Sequence, residues 1–526
     1  MTADWIISGG AIETMEPDGR RVEAVAISGG RILAVGSTEE LRELGSSKTR
    51  HTDLQGAALL PGFTDTHMHL EKIAVELMMV QLGEAGSLDE LLAAVSETAS
   101  KTPVGEWVHS FGDDNAWHER QLPEARLPTR AELDRVVAEH PVFLLRGPDV
   151  AVLNSLGVVE LLPQVGALED VEIDEESGLL RGFDVRLLQG DLRAPGRQRR
   201  LEILGAACRK LLSLGVTAVV DPGLPASFAE TWELYNDARQ QGLLPLRVEL
   251  MDRLDYRLAF EDEFARIAQE VARPLAGDDR LRSFGIKMIL DGEFSNAWIR
   301  AGEAQDVVPT KRYSPEEFDA ILDLCGKRGW PFCTHVMGGG AIDFVIERVE
   351  KAKERGSRFF PFQLSLAHVF LPSLQNIRDC VRLGIVVSVQ PLLAYVFEQE
   401  MSDAWSELAD RSNPYRSMVE EGLFPAGGSD VLPCEPLRGA QMAVTRRSRE
   451  GTIFGATEAL PPRAALELFT SSAGPYMRRF DRGRIAPGFA ADLVAWSKNP
   501  LSVDPGEWLN LEAQFVTVDG ETVYEA

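Results

Sequence analysis

Apolar, β-branched runs separated by amphipathic stretches fill the middle of the chain, at 215–221, 246–250, 284–291, 331–335, 364–368, 385–390 and 424–430. Runs of this length bounded by turn residues read as strands buried on both faces. The stretches between them carry helix signals. Ser314-Pro315-Glu316-Glu317 is a capping box with proline at the first helical position, and a helical pattern over 341–355 stops at Gly356. An earlier run from Ala57 ends at His67 and His69 and supplies an eighth strand. Eight strands alternating with helices predict an α/β fold of the TIM (β/α)8 type, with functional residues at the C-terminal ends of the strands.

The two ends of the chain have a different texture. β-branched runs at 5–10, 24–30 and 32–36 are separated by Gly-Gly pairs and read as hairpins, and the same texture returns at 491–496 and 514–520. Neither end alone has enough strands to bury a face, so the two are expected to pair into one small supporting β-sandwich domain, 1–56 with 484–526. The barrel then takes 57–83 and 196–483. About 145 residues separate His69 from Gly215, too many for a structureless crossover, which places an inserted subdomain at 84–195. It contains a capped helix from Ser87, strands around 107–109 and 142–145, and an acidic turn at 172–176. Because it follows the C-terminal end of the first strand, it is expected to be a lid over the barrel mouth.

Composition narrows the function classes. A chain of 526 residues exceeds one ordinary domain, and a hydrophobic fraction of 44% marks it as globular. Lys+Arg of 54 against Asp+Glu of 81 gives a net charge of -27. That balance argues against nucleic acid and anionic membrane and leaves a small-molecule substrate as the expected partner. The N-terminus lacks the segments of a signal peptide, no apolar run approaches bilayer length, and five scattered cysteines form no Cys-x-x-Cys. A cytoplasmic location is therefore expected. Barrels of this size often form symmetric dimers, so a homodimer is the expected assembly.

Candidate chemistry concentrates at the predicted strand ends. His67 and His69, with Asp65 behind them, project from one face of an extended segment, an arrangement that suits a divalent metal. Lys287 lies on the fourth strand, while His335, His368 and Asp430 end the fifth, sixth and eighth. The other histidines, His51, His109, His118 and His140, lie outside the barrel strands and are expected to be surface or packing residues. Imidazole nitrogens with a carboxylate suit zinc, with manganese, iron or cobalt as alternatives. An ammonium does not ligate a cation, but a deprotonated lysine can add carbon dioxide and become a bridging carbamate. The alternative for Lys287 is a salt-bridged core lysine.

These residues carry a resemblance. Pro-Gly-Phe-Thr-Asp-Thr-His-Met-His from Pro61, Gly-Ile-Lys-Met-Ile-Leu-Asp-Gly from Gly285, Ala367-His368, Ser-Val-Gln-Pro from Ser388, Gly-Gly-Ser-Asp from Gly427 and the segment 483–493 are similar to the amidohydrolase superfamily. More narrowly, they resemble its family 3 branch of enzymes like N-substituted formamide deformylase. The resemblance spans nearly the whole chain. It implies a metal-dependent hydrolase with a carboxylated Lys287 bridging two metals, one held by His67, His69 and Asp430 and the other by His335 and His368. Two departures stand out. A Gly-Asp-Arg-Ala segment that usually follows the strand-five histidine is replaced here by glycines at Gly338, Gly339 and Gly340, and Asp149 stands where a histidine is expected ahead of Asn154-Ser155. Both positions are expected to face substrate.

The expected reaction is hydrolysis of an amide-type C–N bond in an N-acyl, N-formyl or cyclic amide. Metal activates water, and Asp430 serves as general base and then general acid. Trp117, Asp149, Gln390 and the 432–436 loop are the candidate substrate contacts. Because fold does not dictate chemistry, metal-dependent decarboxylation or another lyase reaction is the alternative, and a non-catalytic binding protein is a third reading.

Overall fold

A nearly closed parallel barrel positions the site. The computed structural model describes residues 2–83, 85–110, 119–146, 150–165, 171–182, 185, 196–224, 228–270, 275–303 and 307–526. The barrel strands run in chain order: Phe63–Asp65, Val216–Asp221, Arg247–Arg253, Leu281–Ile289, Phe332–Val336, Leu364–His368, Val386–Val389 and Ala426–Gly427. Every residue of Val216–Asp221 and Phe332–Val336 is buried, as strands covered on both faces require. Val220, Met251, Phe284, Cys333, Ala367, Val386 and Ala426, from seven successive strands, form one cluster with Tyr476 and Met477 that fills the barrel. The first and last strands share no ladder. They are joined where they end, by the Thr66 N–H donating to the Gly427 carbonyl at 2.9 Å and the Asp430 N–H donating to the His67 carbonyl at 2.8 Å. Barrel closure therefore runs directly through the candidate metal ligands.

Helix signals in the sequence are realised as side-chain caps. The Ser314 hydroxyl accepts from the Glu317 N–H to start Pro315–Arg328, which ends at Gly329 in the left-handed conformation that glycine adopts without strain. Among the described residues, no helix is long and apolar enough to cross a membrane.

The first barrel strand is shorter than the sequence suggests. Of the run that starts at Ala57, Ala58–Pro61 belongs to a different sheet, pairing antiparallel with Leu493–Trp496 and parallel with Trp5–Glu13. Gly62 separates the two roles, since a Cβ there would lie 2.3 Å from the Thr217 methyl. The expected boundary between 56 and 57 therefore moves to this glycine. His67 and His69 follow the strand in a bend rather than extending it.

Both chain ends do build one sheet. Its order is Glu521–Glu525, Ala513–Val518, Leu493–Trp496, Ala58–Pro61, Trp5–Glu13, Arg21–Ser28 and Arg31–Gly36, with Arg50–Asp53 also on Trp5–Glu13. Hydrogen bonds thus link into one mixed sheet the strands that the sequence suggests would divide into a sandwich. Trp5–Glu13 makes this possible by changing partners along its length, and its register against Arg21–Ser28 shifts between Ser8 and Ile12. An irregularity of this kind bends a strand and lets the sheet curl over its own core of Trp5, Ile7, Ile12, Leu59 and Leu493.

A buried ion pair ties this sheet to the barrel. Arg247, on the third barrel strand and 1% exposed, donates to the Asp492 carboxylate at 2.7 and 2.9 Å and also to Asp519. Replacing Arg247 with leucine would leave the buried Asp492 without its cation, and the expected cost is about 3–5 kcal/mol. Denaturant unfolding checks this, and an unchanged midpoint would show that the pair does not anchor the sheet.

Residues Glu71–Ala207 form a second unit, wider on both sides than the expected 84–195. It has its own five-stranded sheet, in the order Glu172–Asp174, Leu179–Arg181, Val150–Leu153, Val142–Arg146 and Val108–His109. The helix Leu88–Lys101 is capped by Ser87 as expected. The unit extends beyond 84–195 because it includes most of helix Leu70–Met78 and part of helix Arg197–Ser213.

Candidate active site

Asp65, at the end of the first strand, organises the site from below. Its carboxylate is fully buried and accepts the His67 N–H at 3.0 Å and the Ser429 N–H at 3.1 Å, clamping together the turns that carry His67 and Asp430. Burial raises its pKa to about 7, although the hydrogen bonds from Ser429 and His67 favour the carboxylate. Gly428 is required by close approach, because a Cβ would sit 2.7 Å from both the backbone N and the Cβ of His67. The next ligand candidate, Asp430, has a positive φ of 64°, and its N–H bond to the His67 carbonyl holds it there. The resulting carboxylate position is 3.7 Å from His67 Nε2, 3.6 Å from His69 Nε2 and 3.9 Å from His368 Nδ1.

His368 ends the sixth strand at φ 78°, followed by Val369 at φ 50°. Left-handed backbone at two consecutive non-glycine residues, one of them β-branched, is strained and is maintained here by the Val369 N–H donating to the Val336 carbonyl at 2.8 Å. The distortion turns the His368 ring toward His67, with centroids 4.8 Å apart. One ligand atom each from His67, His368 and Asp430 lies within 4.8 Å of the others. Burial holds the His67 and His368 imidazoles well below their usual pKa, so both offer a neutral lone pair, and His368 Nδ1 is buried without a hydrogen-bond partner. Converging imidazoles and a carboxylate of this kind fit a divalent cation.

His335 is adjacent, with its ring centroid 4.3 Å from that of His368. Its Nε2 faces the Gly292 carbonyl at 3.2 Å and Asp291 Oδ1 at 3.5 Å. His368 therefore stands between the two expected ligand sets, its ring 4.3 Å from that of His335 and 4.8 Å from that of His67. Asp291 is fully buried and accepts the N–H groups of Met337, Gly338 and Trp298 at 2.9–3.1 Å. Burial raises its pKa to about 7. Gly338, Gly339 and Gly340, expected to face substrate, are instead buried under Trp298 and Arg300. A Cβ on Gly338 would meet the Trp298 carbonyl at 2.2 Å, and one on Gly340 the Trp298 ring at 2.6 Å. The glycine run is thus explained by packing.

A model of the amidohydrolase family matches residues 50–524. The chain belongs to the amidohydrolase family. A second model, of the bacterial imidazolonepropionase-like composite domain, matches residues 24–44, which span part of strand Arg21–Ser28, strand Arg31–Gly36 and the short helix Thr38–Arg42. The chain is 26% identical over 548 residues to YtcJ, a putative amidohydrolase of Bacillus subtilis (strain 168), covering 100% of both chains. It is 26% identical over 547 residues to the N-substituted formamide deformylase of Arthrobacter pascens, covering 99% of this chain and 98% of that one. Its fold is similar to the crystal structure of an uncharacterized metal-dependent hydrolase from Pyrococcus horikoshii OT3, with TM-score 0.73 and 22% identity over 95% of this chain and 99% of that one. As a family member, this protein is an enzyme that hydrolyses carbon–nitrogen bonds.

Lys287 and Gln390, also singled out in the sequence, are both buried. Lys287 is 2% exposed, its Nζ is 3.8 Å from Cys333 Sγ, and it makes no ion pair among the described residues, so it is not a salt-bridged core lysine. Burial lowers its pKa from the usual lysine value. Gln390 is fully buried at the end of the seventh strand, its Nε2 donating to Ser388 Oγ at 2.9 Å, and Ser388 in turn bonds Thr66 Oγ1 at 2.8 Å. Trp117, Asp149 and His118 lie outside the described residues. The 432–436 loop leads into helix Pro436–Thr445 with Cys434 buried. Sequence reasoning gave no role to Asp291, Arg253 or Arg312. Asp291 lies within the quoted strand-four motif, and an inward alternation of Glu249, Met251 and Arg253 was available to extend the third strand beyond Leu250.

Proposed function

We propose that this amidohydrolase cleaves the amide-type C–N bond of an N-acyl, N-formyl or cyclic amide small molecule, with Asp430 as general base and then general acid. The observation that carries this reading is the position of the Asp430 carboxylate, 3.6–3.9 Å from three imidazoles and held by left-handed backbone bonded to His67. His67, His69 and Asp430 would hold one divalent cation, with zinc the best match to the donor set. His335 and His368 would hold a second, with Lys287 contributing as its carbamate. A cation in this place supplies Lewis acidity, polarising the amide carbonyl and making water acidic enough to attack at neutral pH.

The protein's own residues move the proton. Asp430 accepts it from the attacking water as the new C–O bond forms, and returns it to the nitrogen as the C–N bond breaks, releasing an amine and a carboxylic acid. Gln390, fixed by Ser388, orients substrate, and Trp117 and Asp149 are further candidate contacts. The 84–195 insertion, which follows the first barrel strand in the chain, is proposed as the lid on the basis of this connectivity.

Two measurements test the reading. Protein purified without chelator in bicarbonate buffer should contain near two equivalents of zinc or a similar metal, and about one equivalent would remove the Lys287 carbamate from the proposal. A panel of N-formyl, N-acyl and cyclic amides should yield free amine and acid. Carbon dioxide without amine would replace hydrolysis with a lyase reaction.

A further inference from the structure

The other arginines on the third and fourth barrel strands are ion-paired. Arg247 meets Asp492 and Asp519, and Arg282 meets Glu249. Arg253 and Arg312 break that pattern. The Nε of each is buried without a hydrogen-bond partner, and neither guanidinium forms an ion pair among the described residues. Both side chains are half-buried, with Nε out of water and no counterion, so two such groups near one site suit an anionic ligand.

Both stand at the barrel mouth. Glu249, Met251 and Arg253 share one face of their strand, and Met251 belongs to the cluster that fills the barrel, so Arg253 is the last inward-facing residue of that strand. Its Cα pairs with that of Lys287 on the next strand. The Arg312 N–H donates to the Leu290 carbonyl at 3.0 Å, just beyond the fourth strand, and its guanidinium carbon lies 3.9 Å from the ring centroid of Tyr256, three residues after Arg253. Tyr313, 9% exposed, has a hydroxyl that is also buried without a partner. The charges of Arg253 and Arg312 both reach His335, where they add to the effects of burial and of Lys287. Two carboxylates lie within electrostatic range of Arg253, and both are engaged elsewhere: Asp430 with the histidines, and Asp255 with Arg257 at 2.7 Å.

We infer that Arg253 and Arg312 form a subsite for a carboxylate on the substrate, so that the amide cleaved at the metal centre belongs to an anionic N-acyl or N-formyl compound. The inference rests on the amide-hydrolase reading and deepens it. A planar guanidinium fork matches a carboxylate in a two-point contact, and Tyr313 offers a third donor beside it.

The test compares N-acetylphenylalanine with N-phenethylacetamide, the same skeleton without the carboxylate, on the metal-loaded protein. Calorimetric binding is measured alongside amine release, with wild type, Arg253→Gln, Arg312→Gln and Arg253→Lys. Wild type should bind the acid at least about tenfold more tightly than the neutral analogue. That preference should fall to near unity in Arg253→Gln and weaken in Arg312→Gln. Arg253→Lys, which keeps the charge, should retain part of it, and it carries the test if Arg253→Gln does not fold. Equal binding of acid and neutral analogue by wild type, or a preference unchanged in both glutamine variants, overturns the subsite. Turnover of the neutral amide without any preference for the acid removes the subsite and leaves the hydrolase. Arginine-dependent binding of the acid with no amine released from any amide retains the subsite and removes the hydrolase.

Discussion

Asp430→Asn is expected to lower kcat by about 10²–10⁴-fold, the range that a positioned general acid–base supplies. Asparagine has the same shape and can occupy the site, but its amide cannot accept a proton from water or return one to the departing nitrogen. The backbone should tolerate the change, since φ at this position is 64° and asparagine is among the residues that adopt the left-handed region most readily. The N–H bond to the His67 carbonyl is also unaffected. Circular dichroism should therefore match wild type and the metal content should be largely retained. A kcat within a few-fold of wild type, in a variant that still carries metal, would remove Asp430 from the proton path.

Removing the metal should have an effect at least as large. Dialysis against a strong chelator is expected to bring amide turnover to background, and zinc with bicarbonate should restore it. The physical reason lies in the arrangement of donors. Neutral imidazoles and a carboxylate converge within 4.8 Å, and His368 Nδ1 has no hydrogen-bond partner to replace a lost cation. A ligand that binds only the folded state adds about 4 kcal/mol of stability at a thousandfold excess over its Kd, so the metal-free protein should also melt at a lower temperature. Full activity in protein with metal below detection would falsify the metal-dependent mechanism.

The barrel was legible because its signals are local. Each strand is a short apolar run, and Ser314 with Glu317 marks a helix start within four residues. The identities of the ligand candidates were legible for the same reason, since histidine and aspartate at strand ends declare their chemistry in any context. The division of the run after Ala57 was not legible. Ala58–Pro61 and Phe63–Asp65 are both apolar and buried, and only their partners, Leu493–Trp496 for one and Val216–Asp221 for the other, assign them to different sheets. Arg253 was missed because a charged residue after Leu250 looks like the end of a strand, whereas in three dimensions it continues the inward face. The glycines at Gly338–Gly340 looked like a lost substrate contact, and packing against Trp298 and Arg300 accounts for them.

What the sequence alone determined was the set of parts: eight strands with their order, two ends of like texture, a long insertion, and the histidines, lysine and aspartate available to a metal. What only the tertiary structure decided was which of those parts meet. His368 stands with His67 and Asp430 because left-handed backbone after the sixth and eighth strands turns their side chains inward, and because Asp65 and the His67 carbonyl hold the two ends of the barrel together. Periodicity and residue type are properties of neighbours along the chain. Distances among residues far apart in sequence are set by the closure of the whole barrel.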